Sequence, residues 1–152
     1  SPMGTYMHGS TFGGHPVASA VAVANMSAMR DEGLMGHVRD NEVGMAESLA
    51  KLADAHPCVK EVRGAGFFYA IDLCADRASG RELSSSQEAG LRGGVLGGFV
   101  REQHMTVRPD DRGYTGLSIS PPLIADGPVV EDLMTRTDRV LERTRSWLAE
   151  ND

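Results

Sequence analysis

His8-Gly9-Ser10-Thr11-Phe12-Gly13-Gly14-His15-Pro16 runs straight into the apolar segment Val17-Ala18-Ser19-Ala20-Val21-Ala22-Val23-Ala24. Glycine lets a backbone take positive φ and approach a ligand closely. Pro16 has a fixed φ that suits the first turn of a helix, where its missing N–H is not needed. The stretch therefore predicts a glycine-rich loop feeding a helix N-terminus. Free N–H groups and the helix dipole at such a place favour an anion, phosphate included. The run matches neither a P-loop nor a dinucleotide fingerprint. On residues alone it is either an anion-binding loop or a plain connection into a helix.

The helix that follows is expected over residues 16 to about 32. Val17, Ala20, Val21, Ala24 and Ala28 fall at helical spacing, and this face is expected to be core. Gly33 stands where a helix stops. A second helix is expected over about 36 to 55, with Val38, Met45, Leu49 and Leu52 inward. His56-Pro57 ends it, because a residue before proline avoids helical angles.

Strand material comes next. Val59 and Val62 precede Gly64 and Gly66, which mark a turn or bulge with Arg63 in it. Phe67, Tyr69, Ile71 and Leu73 alternate with Phe68, Ala70 and Asp72, the period of a strand. Residues 75 to 85 read as an exposed loop. Over 86 to 103, Leu91, Val95 and Phe99 suggest a helix, against which stand Gly90, Gly93, Gly94, Gly97 and Gly98, each costing roughly 1 kcal/mol. Two short strands, Thr106-Val107-Arg108 and Gly116 to Ser120, flank a polar turn from Pro109 to Gly113. A last helix is expected from about Pro128 to Leu148, with Val130, Leu133, Thr137, Val140, Leu141, Thr144 and Leu148 buried and Asp126 or Gly127 at its cap. This order predicts an α+β fold, a small antiparallel or mixed sheet covered by helices on one face.

The bulk properties narrow the function. With 152 residues and 41% hydrophobic content, there is material for one domain with a real core. A net charge of −6 argues against broad nucleic-acid binding, which needs a basic face. No apolar run approaches a membrane span, and no basic-then-apolar leader opens the chain, so no membrane partner is expected. Cys58 and Cys74 are too few for a disulfide framework and fit a reducing cytoplasm. His8, His37, His56 and His104 share no metal-ligand spacing with each other or with the cysteines.

Three motifs carry a family likeness. HGSTFGGHPVASAVAVANM resembles the HG-x-T-x-x-GHP-x-x-x-A segment of class III aminotransferases, pyridoxal-phosphate enzymes of fold type I. Val62-Arg63-Gly64-Ala65-Gly66-Phe67 resembles that family's VRG-x-G step. Val107-Arg108, followed by Ser118-Ile119-Ser120-Pro121-Pro122-Leu123-Ile124, resembles its late arginine and PPL signature. The motifs stand in family order, and the likeness spans essentially the whole chain.

The resemblance implies that residues 1–33 are the tail of the large cofactor domain and 34–152 the C-terminal small domain. A chain opening Ser1-Pro2-Met3-Gly4 then looks cut from a longer one. It implies pyridoxal 5'-phosphate as cofactor and a homodimer in which Thr11 reaches the phosphate of the neighbour's cofactor, with Ser10 shaping the loop. His15 matches the histidine of ω-amino acid:pyruvate relatives, where ornithine-type relatives more often carry asparagine, and is expected to be structural. Arg108 matches the arginine that binds the substrate carboxylate. A guanidinium suits that task because it clamps a carboxylate at two points and stays charged. Arg63 is expected to form a salt bridge. The family's Schiff-base lysine lies before the HG-x-T motif. Lys51 and Lys60, the two lysines here, stand in no such context, so no catalytic residue is expected in this chain.

Three functions remain at this point. The first is the C-terminal part of an aminotransferase that moves an amino group from an ω-amino acid or amine to pyruvate or a similar keto acid. The second is a non-catalytic α+β interaction module derived from that domain. The third is an aminomutase or racemase relative.

Overall fold

The structure, a computed structural model, describes residues 11–110 and 113–152. It divides into two compact units after Met35.

The first unit holds α1 (Pro16–Asp31). His15 caps it: its Nδ1 accepts the Ala18 N–H at 3.4 Å, and Pro16 opens the first turn as expected. Gly33, at φ +67°, stands just past its end. The expectation of a core face is not met, because α1 has no buried residue. Val17, Val21, Val23 and Met26 are all exposed, since no apolar element of this unit lies over them.

The second unit carries the α+β architecture. Its elements are α2 (Leu34–Ala55) from Gly36 onward, β1 (Val59–Ala65), β2 (Phe68–Leu73), α3 (Ser85–Gly90), α4 (Leu96–Glu102), β3 (Arg108–Asp110), β4 (Gly116–Ile119) and α5 (Gly127–Glu150). The sheet is wholly antiparallel, in the order β1-β2-β4-β3. Tyr69, Ile71, Leu73, Leu117 and Ile119 face one core, which also takes Val38, Met45 and Leu49 of α2 and Val130, Val140, Leu141 and Leu148 of α5. In the expected α5 stripe, Met134 is buried while Leu133 is only half-buried. Asp126 caps α5, its carboxylate accepting the Val129 N–H at 3.1 Å.

Four expectations are corrected. Arg63 lies inside β1, paired with Ala70, because β1 runs on through Gly64 to Ala65. β3 begins at Arg108 and takes in Pro109 and Asp110, which pair with Leu117 and Gly116. The first two residues of the expected polar turn therefore belong to the strand, and Asp111 and Arg112 lie outside the described residues. The glycine-rich helix is broken rather than continuous. A π-helical turn, Leu91–Val95, joins α3 to α4, and Gly94 at φ +126° kinks it. Ser84 starts α3 through a capping box with Gln87, so the preceding loop ends a residue early.

Candidate functional site

Strand register builds the sheet's second face. Arg63 pairs with Ala70, Ala70 with Ser118, and Ser118 with Arg108. Directly opposite residues on neighbouring strands point the same way. The four form one row across the sheet, with an arginine on each edge strand. The core-facing residues alternate with them, so this row turns away from the core.

The two arginines are held differently. The Arg63 guanidinium bonds Oδ2 of Asp72 and lies 4.6 Å from the centroid of Tyr114, with Glu61 at 3.5 Å. Hydrogen bonding to Asp72 and that carboxylate's charge push Arg63 further toward its charged form. It is the salt-bridged residue the sequence suggests. The other Asp72 oxygen, Oδ1, is buried without a hydrogen-bond partner among the described residues. The Tyr114 hydroxyl lies 3.2 Å from Ser118 Oγ. Arg108 is exposed, and among the described residues no hydrogen bond or ion pair engages its guanidinium.

Arg108 lines a groove of about 590 Å³ between the sheet and α5. Ser118, Ser120, His104, Asp132 and Arg136 also line it. Arg136 is already committed: its Nε bonds Asp132 at 2.7 Å, and its Nη1 donates to the Gln103 carbonyl at 2.9 Å. Among the described residues, Arg108 is thus an arginine of the groove with no ion pair, and a guanidinium beside hydroxyl groups suits a carboxylate. Sequence reasoning found Arg108 but missed Ser118, Tyr114, His104 and Arg136. For Ser118, the alternation Leu117-Ser118-Ile119 was a usable signal.

At the other proposed position, Thr11 opens an exposed turn that runs to Gly14, ahead of the α1 N-terminus. Gly14 has φ +77°, and nothing lies within 4 Å of where a side chain would start. Phe12 and His15 meet edge to face with ring centroids 5.8 Å apart. A hydroxyl, an open glycine turn and a helix N-terminus form a donor set that fits a phosphate. Ser10 and His8 lie outside the described residues.

The remaining candidates are structural. His37 Nε2 lies 2.8 Å from the Ala125 carbonyl, and buried His56 bonds Asp138 at 2.7 Å. Cys58 and Cys74 are free and buried, and burial pushes the Cys58 thiol up to about 12. The Glu82 carboxylate, 2.5 Å from Lys60 Nζ, raises that ammonium's pKa and so holds it protonated. Lys51 is exposed on α2. No helix among the described residues is long and apolar enough to cross a membrane.

The comparisons with known proteins agree. The family model for Aminotransferase class-III matches residues 1–110. The chain is 37% identical over 139 residues to a probable aminotransferase, Rv3329, of Mycobacterium tuberculosis, covering 91% of this chain and 29% of the relative. It is 30% identical to the putrescine–pyruvate aminotransferase of Pseudomonas aeruginosa, covering 93% and 29%. Among solved structures it is similar to the omega transaminase from Pseudomonas jessenii in complex with PMP, with a TM-score of 0.75, 31% identity, and 94% and 30% of the two chains covered. These neighbours are fold type I transaminases, and the chain spans under a third of their length. A family model over that much of the chain, together with a sheet and helices of the same arrangement, places it: this chain belongs to the class III aminotransferases.

Proposed function

We propose that the chain is the C-terminal portion of a pyridoxal-phosphate aminotransferase that moves an amino group from an ω-amino acid or amine to pyruvate or a similar keto acid. Arg108 carries this reading, as a guanidinium without an ion pair among the described residues, on the wall of a groove lined by Ser118 and Ser120. Class III aminotransferases depend on pyridoxal phosphate, and one structural neighbour holds PMP. When bound, that cofactor supplies the electron sink for the chemistry at the amine carbon. Residues 1–33 would close the large domain and 34–152 form the small one. In a homodimer, Ser10 and Thr11 would hold the phosphate of the neighbour's cofactor. Arg108 would orient the keto acid by its carboxylate. Free thiols at Cys58 and Cys74 suit a reducing cytoplasm.

The lysines decide what this portion can do alone. Lys60 is kept charged by Glu82 and is a poor nucleophile in that state. Full-length enzyme is expected to form alanine from pyruvate and an ω-amino acid, and residues 1–152 to form none. A stoichiometric, borohydride-trapped cofactor adduct on Lys51 or Lys60, accompanied by turnover, would overturn this.

Thr11→Ala in the full-length dimer is expected to weaken cofactor retention more than it slows the bound enzyme. It removes one hydrogen bond to a charged phosphate, worth about 1.5–3 kcal/mol. Equilibrium dialysis of pyridoxal phosphate measures it. Equal affinity in variant and parent would make Thr11 only a loop residue.

A further inference from the structure

A chain of contacts crosses the outer face of the sheet and ends in the groove. It starts at Asp72, a buried carboxylate on β2, which binds the Arg63 guanidinium of β1. That guanidinium lies 4.6 Å from the centroid of the Tyr114 ring, a cation–π contact. Tyr114 is half-buried in the bend before β4, and its hydroxyl lies 3.2 Å from Ser118 Oγ. Among the described residues the groove wall includes Ser118 but not Tyr114. The phenol is therefore held at its face by a cation anchored on a buried carboxylate, and it meets the groove through the Ser118 hydroxyl.

Ser118 is where this chain of contacts meets Arg108. The two are direct partners in the β3–β4 register, and both line the groove. Direct partners in an antiparallel pair have Cα atoms about 4.5–5.5 Å apart and side chains on one face. An arginine stem is long enough to fold over a serine one strand away, so an anion resting on Ser118 is within reach of the guanidinium. A phenol is the better donor of the two hydroxyl types, so Tyr114 gives its bond to Ser118. A serine hydroxyl has one proton and two lone pairs, so it can accept from a phenol and still donate to an anion. The accepted bond fixes its orientation and strengthens the bond it gives. Holding Arg63 needs only the face of the ring, which a phenylalanine also offers. The work peculiar to the Tyr114 hydroxyl is thus done at Ser118.

We infer that Ser118 donates a hydrogen bond to the keto acid carboxylate held by Arg108, and that Tyr114 is the positioning residue that fixes the Ser118 hydroxyl for this bond. The inference rests on the Arg108 reading above and gives the carboxylate a second donor.

The test uses the full-length, cofactor-loaded enzyme with pyruvate and with butanal, an acceptor that has no carboxylate. Ser118→Ala is expected to raise KM for pyruvate about 10-fold with kcat little changed, because a hydrogen bond to a charged group is lost. Tyr114→Phe keeps the ring against Arg63 and should raise that KM about 3-fold, since Ser118 remains but is less well oriented. The double variant should be no worse than Ser118→Ala alone, because Tyr114 acts through that hydroxyl. Ser118→Thr keeps the hydroxyl, suits a strand, and should stay within about 2-fold of the parent. Butanal kinetics should barely move in any of the four. Calorimetric binding of propionate, a carboxylate that cannot react, should weaken by the same factors as pyruvate. An unchanged pyruvate KM in Ser118→Ala, or an equal loss with butanal, overturns the inference. So do additive effects in the double variant. A Tyr114→Phe enzyme that melts several degrees lower and loses both acceptors alike makes Tyr114 a staple for the bend and overturns its positioning role. Arg108→Ala separates the two readings. Selective loss of pyruvate there, with Ser118→Ala unchanged, keeps the clamp and removes the inference. Undiminished pyruvate use in Arg108→Ala removes the clamp, and the inference with it.

Discussion

Replacing Arg108 by alanine in the full-length enzyme is expected to cut kcat/KM for pyruvate by about 2–4 kcal/mol, roughly 30- to 1000-fold. That is the worth of a charge pair when one partner is removed, once the bound keto acid and the rest of the full-length enzyme have largely desolvated it. The half-reaction with an uncharged aryl amine should change far less. Under the proposed function the enzyme would alternate, in one pocket, between an acceptor that has a carboxylate and donors that include amines without one. The cation must engage one and stand aside for the other. Arg108 is placed for both tasks: it opens an edge strand, has no ion pair to break among the described residues, and stands beside the hydroxyl of Ser118. Single-turnover absorbance of the cofactor gives the two half-reactions separately. If both fall together, Arg108 supports the fold and does not bind the keto acid.

The second large effect concerns stability. Gly116→Ala is expected to cost on the order of 3 kcal/mol or more, because the overpacking falls on backbone and not on a yielding side chain. A Cβ there would stand 1.9 Å from the Ile71 carbonyl oxygen and 3.2 Å from the Asp72 Cα. Both belong to β2, the central partner of β4. Neither strand can retreat without breaking the pairing that sets Ser118 beside Ala70. Gly93→Ala is the control, since nothing lies within 4 Å of its added carbon. Urea denaturation of the two variants should separate them clearly. A Gly116→Ala midpoint equal to the parent's would mean that β2 and β4 do not pair in this register.

Local periodicity was enough for the elements whose burial follows from one face. The alternation through Tyr69, Ile71 and Leu73 predicts β2, and the stripes of α2 and α5 predict their buried sides, with Met134 replacing Leu133 by one position. What it could not supply depends on pairing between distant residues. Pro109 belongs to a strand only because Leu117 lies opposite it. Asp72 is buried although polar, because Arg63, nine positions earlier, reaches it from the next strand. The apolar face of α1 was legible, but not its exposure, because burial requires a partner that pattern alone does not provide. For the site, the motif picked out Arg108 as a residue type. The row from Arg63 to Arg108 exists only through three strand registers, which no single motif contains.

The two borders of the sheet bear on how this polypeptide meets other polypeptides. β3 is three residues long and has Pro109, with no N–H to offer, at its middle. β1 carries a register irregularity between Val59 and Glu61, which interrupts its regular ladder. Short length, proline and a bulge are the devices that keep an open border from recruiting a foreign strand. The sheet is therefore guarded against growth by strand addition on both sides, and recognition at it is left to side chains.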